Sequence, residues 1–253
     1  GRGLRAYLEP KLAEHAGRPD LALPLEEMRV DLIATIGGDG TILRTCLMIP
    51  KPEPPILTIN MGVRGFLTEV APREALKAVD RCLEGRFVLE RCTKLASFTG
   101  GNRLPDALNE VFITSRALAK TIHARIRRDG EEVAECRSDG IVVASQAGST
   151  GYSLSAGGPI IDPGLDAFVL TPVCPLSVFH PIVFPAGSTV GIELLEPERA
   201  SVVIDGHHRV EMGPGKSSVT VTRSEHQSSF IRLRGDFYRR LKARLLFSRG
   251  EES

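Results

Sequence analysis

Two short apolar runs, each broken off by a glycine-punctuated turn, limit what this chain can fold into. The first, Val30-Asp31-Leu32-Ile33-Ala34-Thr35-Ile36, is partly β-branched and has the pattern of a strand buried in a parallel sheet. It runs directly into Gly37-Gly38-Asp39-Gly40-Thr41, after which Ile42-Leu43-Arg44 opens a helix. Glycines at such a junction let the backbone turn tightly and approach a ligand without interference from Cβ. The first amides of the helix are unpaired donors suited to phosphate, so Gly37, Gly38 and Thr41 are phosphate-binding candidates. Asp39 does not suit that role, because a carboxylate repels a phosphate. It suits holding a hydroxyl, taking a proton or binding a metal. For an isolated GGDG the plain alternative is a tight turn with a solvated Asp.

The second run follows Pro54-Pro55: Ile56-Leu57-Thr58-Ile59-Asn60 reads as a buried strand, and Met61 to Leu67 as another glycine-punctuated turn. Pro72 to Leu83 carries Ala75, Leu76, Val79 and Leu83 at helical spacing, and Leu4, Leu8 and Leu12 predict a helix over 4–16. Strands alternating with helices imply an α/β domain, a parallel sheet with flanking helices. Ligands in such sheets sit outside the carboxyl ends of the strands, where both turns would lie.

From about residue 93 the texture becomes mainly β. Strand-like runs are expected at 107–114, 121–128, 131–137, 140–145, 189–195, 201–205, 209–213 and 217–223, with Asp129-Gly130 as a hairpin turn. Phe237 to Phe247 is an amphipathic helix, expected to return to the first domain. The predicted division is an α/β domain over 1–92 plus about 234–253, and a β-rich domain over 93–233.

Composition excludes several classes. A net charge of +1 gives no global field to recruit nucleic acid or anionic lipid. No apolar run nears the ~20 residues of a membrane helix, and no signal peptide is recognisable. The five cysteines (Cys46, Cys82, Cys92, Cys136, Cys174) are odd in number and scattered, which suits neither a disulfide framework nor a zinc site and points to a reducing, cytoplasmic setting. His207 and His208 are adjacent on an expected strand, so they point to opposite faces and predict no metal site. His123 reads as structural, and Arg125, Arg127 and Arg128 as an exposed strand face.

A second glycine stretch begins at Gly148. Between Gly148 and Pro159 lie four glycines, four Ser/Thr hydroxyls and Tyr152, a poor core but a good polar ligand wall. No Gly-Lys-Ser/Thr closes it as in a Walker loop, it lacks GxGxxG, and Ser149 and Ser153 lack the GxSxG setting of a hydrolase nucleophile.

Together, GGDGT at 37–41, Asn109-Glu110 and SDGIVVASQAGSTGYSLSAGGPI at 138–160 resemble the NAD kinases, in the right order and over about residues 30–247. Asn60-Met61-Gly62, Gly65 to Glu69, Pro172 to Pro175, Pro181 to Val183 and Asp205-Gly206 are similar to further landmarks of that family. GGDGT alone is shared with lipid and sugar kinases, whereas GSTGYSLSAGGP downstream of Asn-Glu is far more specific.

The resemblance implies an α/β domain, a β-rich nucleotide-binding domain and a nucleotide site in the cleft between them. The reaction implied is transfer of a terminal phosphoryl group from ATP or polyphosphate to the adenosine-ribose 2′-hydroxyl of NAD, giving NADP. Asp39 matches the carboxylate that orients or deprotonates that hydroxyl; Gly40 and Phe66 match the adenosine pocket. Asn109 and Glu110 match the adenosine-recognising pair, and Asp139, Thr150 and Tyr152 match positions contacting the dinucleotide. Mg²⁺ or another divalent cation is expected with the phosphoryl donor. The resemblance also implies a homodimer or homotetramer. The chain departs from the family's pattern at Ser145-Gln146-Ala147, Gly151, Leu176 and His180. Those departures keep two other readings open: a catalytically weak NAD(H)- or NADP-binding regulator, and a GGDGT kinase of lipids or sugars.

Overall fold

The structure, a computed structural model, describes residues 3–62, 65–117, 119–196, 199–213, 217–233 and 237–245. The chain divides into two compact units. One extends to Glu90 and regains the chain at Ser229; the other comprises Arg91–Ser228 and the C-terminal helix.

The first unit contains α1 (Pro10–His15), β1 (Ile33–Gly37), α2 (Asp39–Met48), β2 (Ile56–Asn60) and α3 (Ala75–Leu83). β1 and β2 pair in parallel, from Ile33 opposite Ile56 to Gly37 opposite Asn60. Parallel neighbours need a crossover connection, and α2 provides it. Leu57, Ile59, Val70, Ala78, Cys82 and Ile231 form the core. β2 is buried as its sequence predicts. β1 starts later than expected and alternates, with Ile33 and Thr35 buried but Ala34 and Ile36 exposed. Among the described residues β2 is its single strand neighbour, and α2 packs on it. The expected two-sided burial is therefore not met.

Two helices also differ from expectation. The 4–16 helix shortens to α1, with Pro10 in its first turn. Pro has no N–H and disfavours helical geometry in the residue before it. Glu9 is extended, and Leu8 exchanges hydrogen bonds with Leu21 and Leu23. In α3 the inward stripe is Ala75, Ala78, Val79 and Cys82, whereas Leu76 is 83% exposed.

The second unit carries β3 (Val88–Thr99, beginning at the unit boundary), β4 (Asn102–Arg103), β5 (Glu110–Ser115), β6 (Ile122–Arg128), β7 (Glu131–Ser138) and β8 (Gly140–Ala144). These are followed by α4 (Tyr152–Ser155), β9 (Ala167–Val173), β10 (Ile182–Pro185), β11 (Val190–Glu196), β12 (Ala200–Ile204), β13 (His208–Met212), β14 (Ser218–Arg232) and α5 (Phe237–Leu245). One antiparallel sheet runs β10-β9-β8-β5-β12-β13. A second antiparallel set runs β14-β11-β6-β7, with β3 paired to β14 and β4. The Asp129-Gly130 turn has both φ angles positive (52° and 91°), as a tight hairpin between right-twisted strands requires. The arginine-bearing face of β6 is ion-paired: Arg125 with Glu132, Glu135 and Glu193, and Arg127 with Glu193. The last residues of β14 belong to the first unit, where Phe230 pairs in parallel with Ile56.

The placement of α5 corrects the expectation that it returns to the first domain. It groups with the second unit, where Tyr238 Oη donates to the Asp162 carboxylate. The chain that does return is the end of β14, whose Ile231 supplies an apolar side chain to the first core. Leu246 and Phe247, at the end of the predicted helix, lie outside the described residues.

Candidate functional site

In the first unit the GGDGT segment forms the junction of β1 and α2. The helix begins earlier than the sequence suggests: Gly38 is its N-cap, and Asp39, Gly40 and Thr41 make its first turn. The Thr41 N–H is used internally, donating to Gly38 O at 3.1 Å. The Asp39 side chain reaches the turn after β2. Its Oδ2 accepts the Phe66 N–H at 2.9 Å and its Oδ1 the Leu67 N–H at 3.2 Å. Gly65 makes that approach possible, since a Cβ there would lie 2.0 Å from Asp39 Oδ1. Phe66 itself is buried, and Thr41 and Gly40 are exposed.

In the second unit Asn109 and Glu110 enter β5 under the control of Asp205. The Asp205 carboxylate, 2% exposed, accepts the main-chain N–H groups of Leu108 (2.7 Å), Asn109 (2.8 Å) and Glu110 (2.9 Å). Three amide donors and the charge of Lys94 favour the ionised carboxylate, but burial outweighs them and pushes its pKa up. Lys94 is fully buried on β3. The side chains that Asp205 aims are polar and buried: Asn109 Oδ1 and Glu110 Oε2 have no hydrogen-bond partner among the described residues. Burial, then the Asp205 charge, raises the Glu110 pKa to about 8, opposed by a main-chain hydrogen bond from Tyr152.

The glycine stretch lies directly on this pair. Ser145 N–H donates to Asn109 O at 2.8 Å, Ser145 Oγ donates to Leu108 O, and Gly148 N–H donates to Ser145 Oγ at 3.1 Å. A Cβ on Gly148 would stand 1.9 Å from Asn109 O, so no side chain fits there. A Cβ on Gly151 would be 3.3 Å from both Asn109 Nδ2 and Glu110 Oε2. Tyr152 heads α4 and packs edge-on against Phe112, with ring centroids 5.1 Å apart. Its pKa is raised by burial and by the nearby Cys174, Asp139 and Glu110. Thr150 is buried and its hydroxyl donates to Ala147 O at 2.9 Å, while Asp139 is an exposed residue at the β7–β8 junction.

The second unit thus brings Asn109, Glu110, Thr150, Tyr152 and Asp139 together, and the first brings Asp39 to Phe66. Sequence reasoning gave no role to Asp205, Lys94, Gly65 or Arg232. Of these only Asp205 and Gly65 carried a signal, as family landmarks. His207 lies in the β12–β13 turn rather than on a strand. Among the described residues no three His, Cys, Asp or Glu side chains cluster as metal ligands.

A carboxylate anchored at a glycine-rich strand–helix junction in one unit, and a buried Asn-Glu pair under a hydroxyl-rich wall in the other, define a class of two-unit proteins, α/β followed by β-rich. The family profile described as ATP-NAD kinase N-terminal domain matches residues 18–87, and that described as ATP-NAD kinase C-terminal domain matches 108–233. The chain belongs to the NAD kinase family. The NAD kinase of Methanothermobacter thermautotrophicus is 41% identical over 97% of this chain and 87% of its own length. That of Thermococcus kodakarensis is 41% identical over 87% and 79%. Among solved structures, a yeast NADH kinase complexed with NADH matches with TM-score 0.85 at 26% identity, covering 96% of this chain and 79% of that one. An NAD kinase from Archaeoglobus fulgidus in complex with ATP matches with TM-score 0.76 at 33% identity, covering 94% and 92%.

Proposed function

We propose that this chain phosphorylates the adenosine-ribose 2′-hydroxyl of NAD to give NADP, with Asp39 orienting or deprotonating that hydroxyl. The observation that carries this reading is the fixing of Asp39 by the Phe66 and Leu67 amides, which gives the carboxylate one defined direction. A sugar hydroxyl is a weak acid, so its attack on phosphorus gains from a positioned carboxylate that accepts the proton late. Phosphoryl transfer otherwise asks for positioning and for neutralisation of phosphate charge. Gly37, Gly38 and Thr41 are assigned to the phosphates, and Gly40 and Phe66 to the adenosine.

Asn109 and Glu110 recognise the adenosine portion, and Asp139, Thr150 and Tyr152 contact the dinucleotide. Support comes from two buried polar atoms, Asn109 Oδ1 and Glu110 Oε2, whose missing partners among the described residues a ligand's hydrogen-bonding groups would supply. ATP is the favoured donor, since a related enzyme was solved in complex with it; polyphosphate is the second candidate. Mg²⁺ or another divalent cation belongs with the donor's phosphates as part of the substrate, where it neutralises their charge.

The kinase reading is favoured over a weak binding regulator and over a lipid or sugar kinase. The departure at 145–147 leaves the wall anchored, because Ser145 bonds the 108–109 backbone and Ala147 serves through its carbonyl. The reading also holds the protein to be a cytoplasmic homodimer or homotetramer. Exposed Leu176, Val178 and Val183 are apolar surface of the kind that self-association covers, and the five cysteines form no disulfide among the described residues. No described helix is long and apolar enough to cross a membrane, and a net charge of +1 offers nucleic acid no general attraction. The test is NADP or NADPH formation from NAD and NADH, each with ATP and with polyphosphate. Phosphorylation of neither dinucleotide by either donor, with tight NADP binding retained, would support the regulator instead.

A further inference from the structure

Arg232, at the end of β14, is 4% exposed and makes more contacts than an ion pair alone would need. Its Nε donates to Glu90 Oε2 and its Nη1 lies 3.4 Å from Glu69 Oε2. The guanidinium sits 5.3 Å from the Phe230 ring centroid. Glu69 is itself fixed, its Oε1 accepting the Leu233 N–H at 2.8 Å. A buried guanidinium between two carboxylates would already be compensated. Yet Nη1 also donates to a neutral acceptor, the carbonyl oxygen of Leu67, at 3.0 Å. That carbonyl accepts a second bond, from Thr58 Oγ1 at 2.9 Å.

Leu67 is the residue whose N–H holds Asp39 Oδ1. Its two main-chain polar groups therefore point to two ends of one chain of bonds, Asp39 on the N–H and Arg232 with Thr58 on the C=O. Fixing both groups fixes the φ and ψ of Leu67, and with them the direction in which the Leu67 amide presents itself to the carboxylate. We infer that Arg232 is a positioning residue for Asp39, acting through the main chain of Leu67. It touches neither Asp39 nor substrate. This rests on the reading of Asp39 as the group that handles the ribose hydroxyl.

Lysine cannot reproduce the planar fork that serves Leu67, Glu69 and Glu90 at once, so Arg232→Lys keeps the charge and loses the geometry. A small displacement of a catalytic group lowers turnover by roughly 10–10²-fold, and we expect a fall of that size in kcat with the Kd for NAD unmoved. Glu90→Gln, at a partly exposed position, loosens the Arg232 anchor without touching Leu67 and keeps the test open should the lysine variant not fold. It is expected to lower kcat in the same direction by less. Both variants are repeated in an Asp39→Asn background and measured on the residual turnover. Acting through Asp39, they should add no further loss there.

A purely structural Arg232 would lower the melting temperature while leaving kcat at 25 °C unchanged in folded protein, or would multiply its loss onto that of Asp39→Asn. Either result overturns the inference while leaving the role of Asp39 intact. Full turnover by Asp39→Asn alone would instead remove the reading on which the inference rests.

Discussion

Phe66 donates its main-chain N–H to Asp39 Oδ2 at 2.9 Å, across 27 residues of sequence. The turn after β2 and the head of α2 are thereby one device, closed by the absence of a side chain at Gly65. An alanine there would place Cβ 2.0 Å from Asp39 Oδ1 and 2.5 Å from its Cγ. The carboxylate must then swing away. Gly65→Ala should fold, bind NAD and lose about 10²-fold in kcat, the loss expected when a catalytic group is misplaced. Steady-state kinetics beside equilibrium NAD titration checks this.

Asp205 terminates three amides and faces the buried charge of Lys94. An Asn side chain would turn an amide donor either toward the Leu108 N–H or toward the two N–H groups of Asn109 and Glu110. It would also weaken the compensation of Lys94. Asp205→Asn should destabilise the protein by about 1.5–3 kcal/mol, the range for losing a hydrogen bond to a charged group. Urea denaturation monitored by circular dichroism measures it.

Glu110 titrates far from its ordinary range. Its folded pKa is raised from 4.5 to about 8, so over that interval the native state holds a proton that the unfolded chain has released. The stability this contributes is full below the unfolded pKa and is lost as pH rises through the folded one. Relative to Glu110→Gln, which has no proton to release, the unmodified protein should lose stability steadily between about pH 5 and about pH 8. Denaturation curves of both proteins at the two ends of that window test the sign.

Much of this was legible in the chain because its strongest local patterns coincide with its structure. The GGDGT turn, β2 and the Asp129-Gly130 hairpin combine short apolar runs with residues that favour turns, and no tertiary contact overrides them. β1 and α1 depart from their sequence patterns for local reasons, a strand packed on one face and a proline that sets where a helix begins. β3 does not show in the sequence pattern because Glu90, Arg91 and Lys94 make it look solvated, although Lys94 is fully buried. β9 was hidden by Pro172, which stands opposite Ile141 in the sheet. β14 runs to Arg232, well beyond the predicted 217–223, because its later residues pair with the first unit's sheet. Motif reading singles out Asp39, Asn109 and Glu110, whose types announce chemistry. It could not find Arg232 or the role of Asp205, whose importance lies in which main-chain groups they reach.

The most direct measurement is the turnover of Asp39→Asn with NAD and ATP, taken together with its affinity for NAD. Loss of a group that accepts the hydroxyl proton lowers the rate by roughly 10²–10⁴-fold, and the account predicts a loss in that range with NAD affinity retained. Near-full turnover by Asp39→Asn would contradict it.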